Sequence, residues 1–129
     1  MQPPALNHVA VQVSDLDRSQ HFYETILRLP PIERPAFDFS GLWYRLGTDQ
    51  ELHLIRRGPA PPNRPQRDNH FALLVDDIDA WEAHLKQVGA NYQPRKRQPD
   101  GAQQIFVIDP DGHHIELCTR PPESSGAYG

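Results

Sequence analysis

A chain of 129 residues has the length for one domain with a sizeable core. Its charges mix both signs to a net of -4 and its mean hydropathy is -0.68, so nothing suggests a nucleic-acid or membrane-surface protein, and no apolar run approaches membrane-spanning length. The opening "MQPPALNHV" lacks a basic and apolar signal region, and the lone Cys118 cannot close an internal disulfide, so a cytoplasmic protein is expected.

Taken in chain order, "HVAVQV" predicts a strand. Val9, Val11 and Val13 share one face and His8, Ala10 and Gln12 the other. Asp17 reads as a helix cap with Gln20 three residues on, and Phe22, Tyr23, Ile26 and Leu27 recur at helical spacing until Pro30 and Pro31 stop the helix. Short strands are expected around 36–39, 42–46 and 51–55, with "GTDQ" turning between the last two. The Pro- and Arg-rich "RRGPAPPNRPQRDN" reads as an exposed linker.

The plan then repeats. "NHFALLVDDID" from Asn69 respells "NHVAVQVSDLD" from Asn7, 62 positions apart, with Asn, His, Ala, Val and two Asp in step. After the strand "HFALLV", Asp79 with Glu82 reads as a second cap. Ile78, Trp81, Leu85 and Val88 mark a helix face that Gly89 ends. Strands follow near Gln93 and over 104–108 and 114–118, the last two joined by "DPDG". The expectation is a single α+β domain over 1–121, built of two tandem βαβββ modules at about 5–57 and 68–120, with a flexible tail over 122–129.

Strand parity also groups the candidate chemistry. If Val9, Val11, Val13, Phe71, Leu73 and Val75 pack under the helices, His8 and His70 face the other way. In "ELHLI" the leucines are helix-side and His53 is opposite. In "HHIELC" Ile115 and Leu117 are helix-side, leaving His114, Glu116 and Cys118 opposite. His53 aligns with Glu116 when one residue is inserted, so the first and last strand of each module each offer one imidazole or carboxylate to the same side. Three imidazoles and a carboxylate suit a divalent zinc, iron, nickel, cobalt or manganese ion. One such histidine alone is more often a hydrogen-bonded surface or core residue; four in register through a duplication form a metal-site pattern.

The remaining candidates have plainer readings. His114 shares the face of Glu116 and is expected at the solvent rim, His113 in a turn, and His21 and His84 solvated on helices. Arg95, Lys96 and Arg97 form a basic loop that would suit an anionic group, although such runs are usually just solvated. Trp81 is expected in the core, and Cys118 as a small buried residue rather than a nucleophile. Either Trp43 with Arg45, or Tyr44, faces the same side as His53.

The stretches "HVAVQVSDLDRSQHFYETIL", "ELHLI", "NHFALLVDDIDAWEAHL" and "DPDGHHIEL" resemble the vicinal oxygen chelate (glyoxalase / bleomycin resistance protein / dioxygenase) superfamily over about residues 5–120. The resemblance implies a cupped mixed sheet holding a divalent metal at His8, His53, His70 and Glu116, with Glu116 able both to ligate and to shuttle a proton. It implies a metal-dependent lyase, isomerase or thiol transferase acting on a small oxygenated molecule. An extradiol-type iron(II) dioxygenase and a non-catalytic small-molecule-binding resistance protein are the alternatives. It further implies a homodimer, with no nucleic-acid or membrane partner. Glyoxalase I typically carries Glu where this chain has His53, which weighs against that particular activity.

Overall fold

The structure, a computed structural model, describes residues 1–58 and 67–122. Most of the predicted linker and nearly all of the predicted tail lie outside the described residues. The chain divides into two compact units, Met1–Arg64 and Pro65–Gly129.

In the first unit β1 (His8–Gln12) leads into α1 (Leu16–Gln20), which continues as a π-helical segment (His21–Ile26); β2 (Pro31–Ile32), β3 (Ser40–Leu46) and β4 (Gln50–Arg56) follow. The strands form a mixed sheet in the order β1-β4-β3-β2, with β1 parallel to β4 and the other pairs antiparallel. The second unit runs β5 (Phe71–Leu74), α2 (Ile78–Gln87), β6 (Lys96–Arg97), β7 (Gln103–Ile108) and β8 (His114–Cys118), in the matching order β5-β8-β7-β6. The βαβββ order therefore occurs twice.

Both helices start two residues earlier than expected. Asp15 and Asp77, not Asp17 and Asp79, are the caps: their carboxylates accept from the amides of Arg18 (3.1 Å) and Ala80 (3.0 Å). Leu16 and Ile78 are already helical, so Asp17 and Asp79 fall in the first turn, where a carboxylate still suits the positive end of the helix.

The strand expected at 36–39 is a loop. The Phe37 amide turns back to the Pro35 carbonyl at 3.0 Å, and the pairing with β3 is made instead by Pro31 and Ile32 at the sheet edge, where a missing proline N–H leaves no ladder bond unmade. The strand expected near Gln93 is reduced to a bridge between Tyr92 and Val107, because Pro94 interrupts it before the two residues of β6 resume the pairing.

Burial follows the alternation. Val13, Tyr44, Leu46, Leu52 and Leu54 pack with Phe22, Tyr23 and Leu27 in the first unit; Ile105, Val107, Ile115 and Leu117 join Ile78 and Leu85 in the second. The Tyr44 hydroxyl donates to Glu24 Oε2 at 2.9 Å from a fully buried position. Trp81, expected in the core, is only half-buried on α2 with its ring edge-on to His84, which is half-buried as well. Among the described residues no helix is long and apolar enough to cross a membrane.

Candidate functional site

In the first unit β1 and β4 set Ala10 opposite His53. In the second, β5 and β8 set Ala72 opposite Glu116. Each pairing falls two residues beyond a module's opening histidine, so His53 and Glu116 occupy equivalent positions in the two sheets. Their neighbours Leu52, Leu54, Ile115 and Leu117 are buried on the opposite, helix-covered face, as parity requires.

The second unit brings His70 and Glu116 together. His70 lies just before β5, and its Nδ1 meets the Arg67 carbonyl oxygen at 2.6 Å. A carbonyl only accepts, so Nδ1 carries a proton and the tautomer is fixed. Nε2 then points at Glu116 Oε1, 3.0 Å away. With Nδ1 protonated, a neutral imidazole presents a lone pair to a carboxylate oxygen, which is unfavourable unless a proton or a cation sits between them. Two donors bound side by side to one ion at about 2.0–2.2 Å lie roughly 3.0–3.4 Å apart, so the spacing suits a divalent metal. The carbonyl behind Nδ1 is also the usual arrangement behind a metal-binding histidine. Phe106 stands opposite Glu116 across β7 and β8 with its ring edge-on to His70 at 4.9 Å, and the Arg67 guanidinium lies over the Phe106 ring, 4.8 Å from its centre. Glu116 is 8% exposed, so its carboxylate works in a largely water-poor setting.

The first unit holds its histidines differently. His8 is exposed at the start of β1, with Nδ1 2.8 Å from Asn7 Oδ1, and its ring stacks on His53 at 4.3 Å with the planes 19° apart. Trp43 stacks on His53 at 3.8 Å and 4°. His53 is thus sandwiched between two rings while its Nε2 donates to Glu51 Oε1 at 2.9 Å, leaving Nδ1 as its free lone pair. An ion binds in the plane of an imidazole. Two face-to-face rings therefore share an ion only after one of them turns. Neither unit by itself gathers three His, Cys, Asp or Glu donors at metal-binding spacing among the described residues.

Glu51 was not among the sequence candidates. It is two residues before His53 on the same strand face and stands opposite His8 across β1 and β4. The same parity that selected His53 selects Glu51. A cleft of about 310 Å³ opens beside it, with Glu33, Arg45 and Asp49 in its walls. Trp43 and Arg45 prove to be the residues on His53's side, and Tyr44 lies in the core.

The other candidates have local partners. His114 is half-buried with Nδ1 3.1 Å from the Gly112 carbonyl and its ring edge-on to Phe106. The His113 amide donates to Asp109 in the turn. The basic stretch at Arg95 is not a free loop: Lys96 and Arg97 form β6, and Arg95 pairs with Asp79 at 2.6 Å and Glu82 at 3.3 Å. Cys118 is half-buried; burial pushes its thiol pKa up, the neighbouring Glu116 carboxylate adds to this, and Arg120 opposes it. A thiol held protonated is a poor nucleophile, which agrees with the structural reading of this residue.

The chain is similar to known proteins over nearly its full length. It is 33% identical over 123 residues to a protein named Glyoxylase I 4 from Arabidopsis thaliana, covering 88% of this chain and 70% of that one. It is 30% identical over 123 residues to the metallothiol transferase FosB of Bacillus licheniformis, covering 88% of this chain and 74% of that one. A crystal structure of a putative glyoxalase family protein from Bacillus anthracis shares the fold, with a TM-score of 0.78 at 23% identity over 93% of this chain and 98% of that one. The family model for the Glyoxalase/Bleomycin resistance protein/Dioxygenase superfamily matches residues 5–117, and with two βαβββ units whose equivalent strands carry His53 and Glu116, the chain belongs to that superfamily.

Proposed function

We propose that the chain is a divalent-metal-dependent enzyme of the lyase, isomerase or thiol-transferase type, acting on a small oxygenated molecule. His8, His53, His70 and Glu116 hold the ion, and Glu116 carries the proton. The observation that bears most weight is the His70–Glu116 pair: Nδ1 anchored on a carbonyl, Nε2 turned to a buried carboxylate oxygen at 3.0 Å. The relatives named for glyoxalase and metallothiol-transferase activities support the same class.

The ion, zinc, iron, nickel, cobalt or manganese, supplies Lewis-acid polarisation of a substrate oxygen when bound. The chain's own contribution is positional. The Arg67 carbonyl fixes the ring of His70, Phe106 keeps water from Glu116, and Glu116 is placed to take and return a proton beside the polarised oxygen. Glu51 orients His53 from behind, so that replacing a carboxylate ligand by His53 leaves Glu116 as the proposed site's only carboxylate on the ion. That arrangement favours metal-dependent proton transfer or addition over glyoxalase I chemistry.

The test is metal uptake. Purified protein dialysed against zinc or manganese should retain about one ion per set of four ligands. Glu116→Ala should lose most of that binding while keeping the wild-type circular dichroism. Undiminished uptake by the variant removes Glu116 from the site, and with it this reading. We place the protein in the cytoplasm as a homodimer, the state expected for the family; a monomer mass by light scattering at micromolar concentration would overturn the dimer.

A further inference from the structure

One end of the His53 face is built of rings and cations that the metal reading does not use. Trp43, stacked on His53, is followed by Phe37 at 6.0 Å, and Phe37 stacks on Phe39 at 5.2 Å. Phe37 is 46% exposed, a large flat apolar surface left open. Two guanidiniums lie against the same rings: Arg57 is 3.9 Å from the Phe39 ring centre, and Arg34 is 5.0 Å from Phe39 and 4.9 Å from Phe37.

Arg34 reaches this place because of Gly41. A Cβ there would collide with the Leu54 carbonyl oxygen and come within 3.0 Å of Arg34 Nε, so the guanidinium fills the space of a missing side chain on β3. Gly41 lies opposite Ile55 and two residues from Trp43, which sets Arg34 on the His53 side of the sheet. One Arg34 nitrogen donates to the Phe39 carbonyl at 2.7 Å, while the buried Nε has no acceptor. Neither Arg34 nor Arg57 has a carboxylate partner among the described residues. A guanidinium held over an aromatic ring can still offer its remaining N–H groups to an anion, and its planar fork matches a carboxylate. The opposite end of the face sets three carboxylates, Glu33, Asp49 and Glu51, around one cation in that cleft, Arg45, and is the less favourable end for an anion.

We infer that this face selects a planar aromatic carboxylic acid, the ring lying along Trp43 and Phe37 and the carboxylate meeting Arg34 and Arg57. The inference rests on the reading of His53's side as the substrate side, and it names the substrate class for that site.

The experiment uses metal-free full-length protein and three probes: 4-nitrobenzoate, planar nitrobenzene without the charge, and cyclohexanecarboxylate without the plane. Calorimetry gives affinity, and quenching of Trp43 in a Trp81→Phe background locates the ring. 4-Nitrobenzoate should bind about threefold more tightly than nitrobenzene, the ratio expected for one exposed paired charge, and more tightly than cyclohexanecarboxylate, which keeps the charge but cannot lie flat on the rings. Arg57→Gln and Arg34→Gln should each bring it toward the nitrobenzene value, and Phe37→Ala should weaken both aromatic probes. Equal affinity for all three probes, or a preference that survives both arginine variants, overturns the inference. Zinc titration of the same samples keeps the two readings apart. A chain that takes up zinc but shows no preference refutes the acid-binding face alone. A chain that prefers the acid but takes up no zinc upholds this face and refutes the metal reading.

Discussion

Tyr44 is a fully buried phenol whose proton is held by its surroundings. Burial first, then the bond to the Glu24 carboxylate and its negative charge, push its pKa well above the ordinary tyrosine range. The folded chain keeps a proton that the unfolded chain releases near pH ~10. The resulting stability is complete below that pH and is lost as the pH climbs further. Denaturant midpoints measured from pH 8 to 11.5 should therefore fall more steeply for the wild type than for Tyr44→Phe, which should itself cost about 1–2 kcal/mol at neutral pH. Parallel curves would show that Tyr44 does not set the alkaline limit. At this scale the alternation of "ELHLI" and "HHIELC" sufficed to set His53 and Glu116 away from the core. The same alternation puts Glu51 on that face, but a carboxylate near a strand's end reads as solvated until its bond to His53 is seen. Alternation could not reveal Arg34, whose position depends on the space over Gly41, a tertiary fact with no local signature.

The helices show how a strong sequence signal can be read two residues off. "SDLD" offers two aspartates and "DDID" three, and Asp15 and Asp77 cap because their backbones are not yet helical, at φ -140° and -136°. Asp15→Ala and Asp77→Ala should each destabilise by about 1 kcal/mol, and the double variant should lose nearly the sum, as the caps lie in separate units. A thermal or urea series showing no loss for either would return the cap to Asp17 or Asp79. The C-terminal ends differ. Gly89 takes a left-handed φ of 67° that glycine adopts freely, whereas Arg28 takes 58° in the same role. Arg28→Gly should stabilise the first unit by about 0.5–1 kcal/mol, which the same series would measure. The short strands were least legible because β2 and β6 are two residues each, too brief for any period to show.

For the whole molecule, a ligand that binds only the folded chain stabilises it by mass action. If the four proposed ligands hold an ion, zinc at 100 times its dissociation constant should add about 2.7 kcal/mol to wild type and almost nothing to Glu116→Ala, read as a rise in Tm. A shift of equal size in both would mean that the ion binds elsewhere. The duplication was legible because it recurs over eleven residues, and the paired caps and paired strand registers keep that repeat in the folded units. One difference between the halves was not legible. Arg28 follows its cap by 13 positions and Gly89 follows its own by 12, and the additional residue is absorbed in the π segment, where Leu27 reaches back five residues to Phe22. The closing bond is likewise one residue longer, Leu29 to Tyr23 against Ala90 to Leu85. The wider turn takes up that residue inside the helix, so the chain beyond it still returns to its own sheet and Leu27 is buried there, 2% exposed.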